Sequence, residues 1–278
     1  MSVRSRSSRA WTWARYAVLS VLALFFLLPF YVVVRNAFST TKWITAARWN
    51  WLPNQFDLTN LRELFGRENV AMARAMGNSA VMSIGQTVLT VVIALMAGYA
   101  LARFSNRASR LLLGLTLFTL MVPAAVTFIP TFVMTAQLGW IDSFRGLIIP
   151  GVFSAFATYL FRQSFVGFPV ELEEAALIDG ANPWTTFWRI VVPNSLGIIG
   201  AVGTITFIGS WNAFLWPLLI GREQTRTVQV TLSQFMTSQG VNYPQLFAGA
   251  LVAIVPVLLV FLFLQRYLVQ GVESSGID

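Results

Sequence analysis

The sequence predicts an all-α polytopic membrane protein: six transmembrane helices, with a cytoplasmic helical loop between spans four and five. Three observations lead there. Of 278 residues, 11% are charged and 56% hydrophobic, whereas a soluble domain carries about a quarter charged residues. Mean hydropathy is +0.67. Charge-free runs recur at Tyr16–Val34, Ser79–Ala102, Leu111–Met134, Gly146–Phe161, Gly197–Ile220 and Phe247–Leu264, and a helix needs roughly 20 apolar residues to cross the hydrocarbon core. Five runs meet that length. The fourth does so once Arg162 and Gln163 reach toward the interface.

The first run follows Arg4, Arg6, Arg9 and Arg15. A secretory signal has a shorter apolar core and a small-residue cleavage site; "VVVRNAFST" offers none, so the run reads as span one. Asn36 to Gly77 is then the one sizeable segment outside the bilayer. Within it, Asn60 followed by Glu63 resembles a capping box, with Leu61, Leu64 and Phe65 on one face of a short surface helix. Prolines punctuate the spans at Pro29, Pro123, Pro130, Pro150, Pro217 and Pro256. Each removes a backbone donor and tends to kink its helix.

Six spans put both termini on one side. Lys and Arg divide ten to nine between the two faces, so density decides the orientation. Four arginines lie in the first fifteen residues, and Arg103, Arg107 and Arg110 crowd a short loop without an acid. A cytoplasmic N-terminus follows from the preference of basic residues for that side.

Several chemistries are excluded. With no Cys and no His, the chain has no disulfide framework and no His-based metal site or triad. Its one lysine, Lys42, has no glycine-rich turn beside it, so no P-loop is present. All eleven acids lie outside the six runs, whereas ion-coupled transporters place ionisable groups within spans. The pI of about 10.8 reflects arginines at span ends facing anionic headgroups, and no nucleic-acid partner is expected. Any energy for transport would come from another chain.

Between spans four and five, "FPVELEEAALIDGANPWTTFWRIVVP" reads as helix, break, helix. Pro169 suits a first turn, and Glu171, Glu173 and Glu174 suit the positive end of the helix dipole. Gly180 is a left-handed terminator. Asn182 can cap a second helix with Pro183 at its first position. Ala175 and Ala176 leave the first helix without bulk for a close approach. In span five, Ser210, Trp211, Asn212 and Trp216 interrupt an apolar run. They either line a solute path or hydrogen-bond neighbouring helices, at about 0.6 kcal/mol each.

Glu174-Ala175-Ala176, then Gly180, Ile190 and Pro193, resembles the cytoplasmic EAA loop of binding-protein-dependent ABC importer permeases. "EAALIDGA" with Phe187 resembles the carbohydrate branch, in particular the maltose-type G subunit. The likeness runs over nearly the whole chain, through "WLPNQFDLTNLRELF", "GYALARF" (Gly98 to Phe104), "MVPAAVTFIPTFVMTAQLGWIDS" (Met121 to Ser143), "SWNAFLWPLL" (Ser210 to Leu219) and "LQRYLVQG" (Leu264 to Gly271). Val192 stands where relatives often carry Leu, Ala213 where they often carry an acid, and the tail "VESSGID" ends acidic where theirs is often basic.

The resemblance implies a coupling helix that docks on a separate ATPase through Glu174, Ala175, Ala176, Asp179, Gly180, Ala181, Phe187 and Pro193. It implies a non-catalytic permease subunit for a carbohydrate or related polar solute. Its partners would be a homologous second permease, two ABC ATPase subunits and an extracytoplasmic solute-binding protein, in a bacterial-type inner membrane. No cofactor is expected on this chain; ATP and Mg would sit on the partner ATPase. The chain then divides into a cytoplasmic tail (1–15), a six-span permease domain (16–269, coupling loop about 166–194) and a second cytoplasmic tail (270–278). The rival reading is a stand-alone secondary transporter or channel.

Overall fold

The computed structural model describes residues 6–53, 56, 58–66, 72–237 and 240–273. Of the expected tails, residues 1–5 and 274–278 lie outside the described part. The remainder is helical, from Arg6 at one end and through Glu273 at the other.

Helices follow in the order α1 (Arg6–Ala37), α2 (Thr41–Ile44), α3 (Thr59–Gly66), α4 (Met72–Arg103), α5 (Arg107–Met121), α6 (Ala124–Gln137) and α7 (Phe144–Ile148). After a 3-10 turn at Ile149–Gly151 come α8 (Ala155–Val166), α9 (Val170–Ile178) and α10 (Pro183–Thr186). A π turn at Phe187–Val191 leads into α11 (Val192–Asn194), α12 (Leu196–Trp211), α13 (Leu215–Ile220) and α14 (Val228–Ser233). A two-residue hairpin, β1 (Met236–Thr237) and β2 (Gly240–Val241), precedes α15 (Tyr243–Glu273). The strands pair antiparallel, Met236 opposite Val241.

Trp11–Ala37, Met72–Arg103 and Tyr243–Arg266 are long and apolar enough to cross a membrane as single helices. Bent helix pairs cover the other three expected runs, the fifth only through Leu196–Trp211, because Pro183–Asn194 belongs to the loop expected at about 166–194. Arg107–Met121 and Ala124–Gln137 meet at 101°, Phe144–Gly151 and Ala155–Val166 at 46°, and Pro183–Asn194 and Leu196–Trp211 at 77°. Counted as one span each, the pairs bring the total to six. The sharpest bend falls at Val122 and Pro123, where the proline cannot supply the N–H that would continue α5.

Two compact units are distinguished, Met1–Ala71 with Leu232–Val252, and Met72–Thr231 with Ala253–Asp278. In the first, side chains of α1 are exposed from Trp11 to Phe30 and become buried at Arg35, Asn36 and Ala37. The Arg35 guanidinium lies 4.7 Å from the Trp49 ring centroid. The expected Asn60 cap is not formed. α3 already begins at Thr59, and the Asn60 amide instead donates to the carbonyls of Ala37 (2.9 Å) and Ser39 (3.2 Å). Glu63 accepts from Gln245 at 2.8 Å.

The second unit is built on α4. Ala94 and Leu95 form an apolar cluster with Ala157, Phe161 and Phe165 of α8, Phe187 and Val191 of the π turn, and Val202 of α12. A smaller cluster joins Met82 to Leu147 and Ile220. Gly98 allows the α4 and α8 backbones to meet: a Cβ there would stand 2.7 Å from Phe161 Cβ and 2.9 Å from Arg162 N. Small residues permit such close helix contacts in membranes. Gly98→Ala is expected to cost about 1–3 kcal/mol, the usual cost of overpacking, read as a lower melting temperature in detergent.

In the loop before α7, Asp142 adopts φ +54. Its carboxylate accepts from the N–H of Arg222 (2.9 Å), the N–H of Thr225 (3.2 Å) and the Thr225 hydroxyl (2.7 Å). Burial alone would raise its pKa. Hydrogen bonds from Thr225 and from the backbone of Arg222, Thr225 and Gln224 outweigh that and hold it below the usual carboxylate range. This anchor is complete at neutral pH and is lost as pH falls through the lowered value.

Candidate functional site

The segment from Pro169 to Pro193 folds as its residues dictate locally. Pro169 stands just before α9, and Glu171 and Glu173 occupy its first turn. α9 ends in a Schellman motif: Ala181 N–H donates to Ala176 O (2.9 Å) and Gly180 N–H to Leu177 O (3.0 Å). Gly180 has φ +86, where any Cβ would be strained. Asn182 then accepts from Thr185 N–H at 2.8 Å, with Pro183 opening α10. Val192 N–H reaches back to Phe187 O across the π turn, directly before Pro193, which has no N–H to offer.

One side of α9 is fixed to its own chain. Glu173, 7% exposed, accepts from the Tyr99 hydroxyl at 2.6 Å and from Arg103 Nε at 2.8 Å. Arg103 Nη2 also contacts the same carboxylate. Arg103 further donates to the carbonyls of Phe165 (2.8 Å) and Phe168 (3.2 Å), at the end of α8 and in the turn beyond it. The Tyr99 ring sits edge-on to Phe165 and 4.8 Å from Phe187. A single carboxylate thus ties α9 to the end of α4, through charge-assisted bonds roughly twice as strong as neutral ones.

The other side of α9 faces out. Glu174, Ala175, Asp179 and Gly180 are exposed, and Ala181 is half-buried. Beside them stand exposed apolar side chains: Leu172, Leu177, Ile178 (86% exposed) and Trp184. Ala176 and Phe187 lie within the chain, at 8% and 3%, so they shape the surface without presenting it. Pro193 is exposed at the end of the segment. The sequence marks Glu173 only as suited to the helix dipole; its pairing with Arg103, 70 residues away, carries no local signal.

The four polar residues of span five separate. Trp211 is buried against Phe207 and donates to Ala253 O at 3.1 Å. Trp216 donates to Gly146 O at 3.1 Å and meets Phe128 edge-on. Asn212 is exposed beyond the last turn of α12 and accepts from Gln229 at 3.3 Å. Ser210 donates to Gln86 Oε1 at 2.8 Å, and Gln86 in turn donates to Gly151 O at 3.0 Å. Of the four, Ser210 alone lines the cavity of about 220 Å³ among α4, α8 and α12.

Comparison with known proteins adds the following. Residues 90–274 match the family model "Binding-protein-dependent transport system inner membrane component". The chain is 36% identical over 201 residues to the arabinooligosaccharides transport system permease protein AraQ of Bacillus subtilis, covering 72% of each chain. It is 32% identical to the lactose transport system permease protein LacG of Rhizobium radiobacter over 94% of each. It is 34% identical to the sn-glycerol-3-phosphate transport system permease protein UgpE of Pectobacterium atrosepticum, over 93% of this chain and 94% of that one. The fold matches a chain of a bacterial ABC transporter involved in import of the acidic polysaccharide alginate. There the TM-score is 0.83 at 23% identity, over 96% of this chain and all of that one.

Proposed function

The chain belongs to the family of binding-protein-dependent transport system inner membrane components, and from that premise we propose which solute it carries and how it is driven. It is a multi-pass permease subunit of an ABC importer; the likeness supports this and not a stand-alone transporter. Its family works with a partner permease and ATPase subunits. The proposed cargo is a carbohydrate or related polar solute, supported by the lactose, arabinooligosaccharide and glycerol phosphate systems of its relatives.

The assembly would comprise a homologous second permease, two ATPase subunits holding ATP and Mg, and an extracytoplasmic solute-binding protein. Both termini and the Val166–Asn194 loop would face the cytoplasm of a bacterial-type cell. The observation that carries this reading is the α9 surface. Glu174, Asp179 and Ile178 lie on its outer side while Glu173 ties its inner side to α4. A force applied to that surface by closing ATPase subunits reaches a membrane span through few intermediate contacts, as rigid-body switching requires.

Vesicles containing the complete transporter should accumulate a labelled neutral sugar only when ATP is inside reach of the ATPase. Uptake without ATP, driven by an ion gradient, overturns the reading. The purified chain alone should release phosphate from ATP only at background in a malachite-green assay, because Lys42 stands in no phosphate-binding loop.

A further inference from the structure

α4 carries a polar stripe that neither apolar cluster uses. Ser83, Gln86, Thr87 and Thr90 recur at helical spacing, halfway along its 32 residues. Met82 packs in one cluster, and Ala94 in the other, roughly 18 Å further along at 1.5 Å per residue. Between them lies the cavity of about 220 Å³, onto which Gln86, Thr90, Ser154, Thr206 and Ser210 open. Thr90 is 1% exposed, and its hydroxyl has no hydrogen-bond partner among the described residues. A buried hydroxyl without a partner is costly, which makes it a candidate for use by something that enters.

The backbone points the same way. Val152 to Ser154 is non-helical and is held at the level of Gln86 by the bond to Gly151 O. Irregular backbone at membrane depth is tolerated where protein covers it or where it lines a water-filled cavity. Here Gly151 and Ser154 line the cavity of about 220 Å³. Gly209, across the cavity, has nothing within 4 Å of where a Cβ would stand.

We propose that this cavity is the solute subsite contributed by this chain, and that it takes one uncharged sugar ring or a small polyol. The assignment rests on the carbohydrate-importer reading above. Its lining holds an amide and four hydroxyls but no Arg, Lys, Asp or Glu, so it can exchange hydrogen bonds with hydroxyl groups and has no cation for a phosphate or carboxylate. Its volume falls below the roughly 300–1,000 Å³ that encloses a drug-sized ligand, which sets the size at one ring.

Because the chain has no cysteine, a single thiol can be placed in it, and vesicles carrying the complete transporter with the wild-type chain give the background from its partners. Gly209→Cys should react with a membrane-impermeant methanethiosulfonate roughly tenfold faster than Val92→Cys on the far face of α4, since thiolate forms only where water reaches it. Lactose, arabinose or glycerol should slow that reaction, and sn-glycerol-3-phosphate should not. Thr90→Val should leave thermal stability unchanged or raised, yet increase the KM for uptake about five- to tenfold, the loss of one hydrogen bond to solute. Gly209→Leu, filling the space, should raise KM at least as much.

Gly209→Cys reacting no faster than Val92→Cys overturns the proposal, as does protection by sn-glycerol-3-phosphate alone. If wild-type vesicles take up a neutral sugar while Thr90→Val and Gly209→Leu keep the wild-type KM, the subsite is wrong and the importer reading stands. If wild-type vesicles take up no neutral sugar, the carbohydrate reading fails and the subsite falls with it.

Discussion

Glu173→Ala is expected to detach α9 from α4 and abolish ATP-driven uptake while leaving the chain in the membrane. Removing one partner of a fully buried ion pair costs about 3–5 kcal/mol, and the 20% exposure of Arg103 puts the cost here toward or below the lower end. Here the stranded group is Arg103, which still holds the carbonyls of Phe165 and Phe168, so the damage should be local. Tyr99 also loses its acceptor, beside Phe187. Hydrogen exchange over Val170–Ile178 should rise, and ATP hydrolysis should become independent of solute. Glu173→Gln keeps the shape and one acceptor oxygen, so it should fall between Glu173→Ala and wild type. The double change Arg103→Met with Glu173→Leu should recover stability relative to Glu173→Ala, since packed apolar residues can replace a buried pair. Wild-type coupling and exchange in Glu173→Ala would remove the anchor from the mechanism.

The anchor was the part of the site that sequence could not display. Gly180, Asn182 and Pro183 were legible because a left-handed turn, a cap and a first-turn proline are each set by neighbours within five residues. Glu173 and Arg103 lie 70 residues apart, and local spacing says nothing of that pairing. The same limit explains Asn60. Its spacing to Glu63 fitted a cap, but the carbonyls of Ala37 and Ser39 took its amide, 23 and 21 residues away.

Spans were legible as apolar runs, while their breaks were only hinted at by proline. Pro123 marks the 101° bend, yet Pro29, Pro130 and Pro256 lie inside continuous helices. A proline removes one donor wherever it stands; how far the helix then bends depends on what packs beside it. In span five the tryptophans drew attention because they are large and polar-tipped, and they proved to be fixed to the carbonyls of Gly146 and Ala253. Gln86 and Thr90 were hidden in a run that looked uniform because it carried no charge.

Ile178→Asp should reduce retention of the ATPase by tenfold or more, the loss of about 1.5–3 kcal/mol of apolar burial at a docking surface. Ile178 is 86% exposed in the chain by itself, so the change should leave folding untouched, and co-purification reads docking alone. Ala176→Arg is a poorer probe, because Ala176 faces inward and an arginine there would disturb the seating of α9. Gly180 tests the turn separately. Nothing stands within 4 Å of its missing Cβ, so substitution acts through backbone conformation and not through a clash. Gly180→Val must hold a β-branched residue at φ +86, at a cost on the order of 1–2 kcal/mol, or else lose the Schellman bonds that aim Asn182 and α10. Gly180→Asn tolerates the left-handed region and should keep most of the activity. Docking through this surface predicts that Ile178→Asp and Gly180→Val both lose ATPase and uptake while Gly180→Asn retains them. Full retention of the ATPase by Ile178→Asp would place the docking surface elsewhere on the chain.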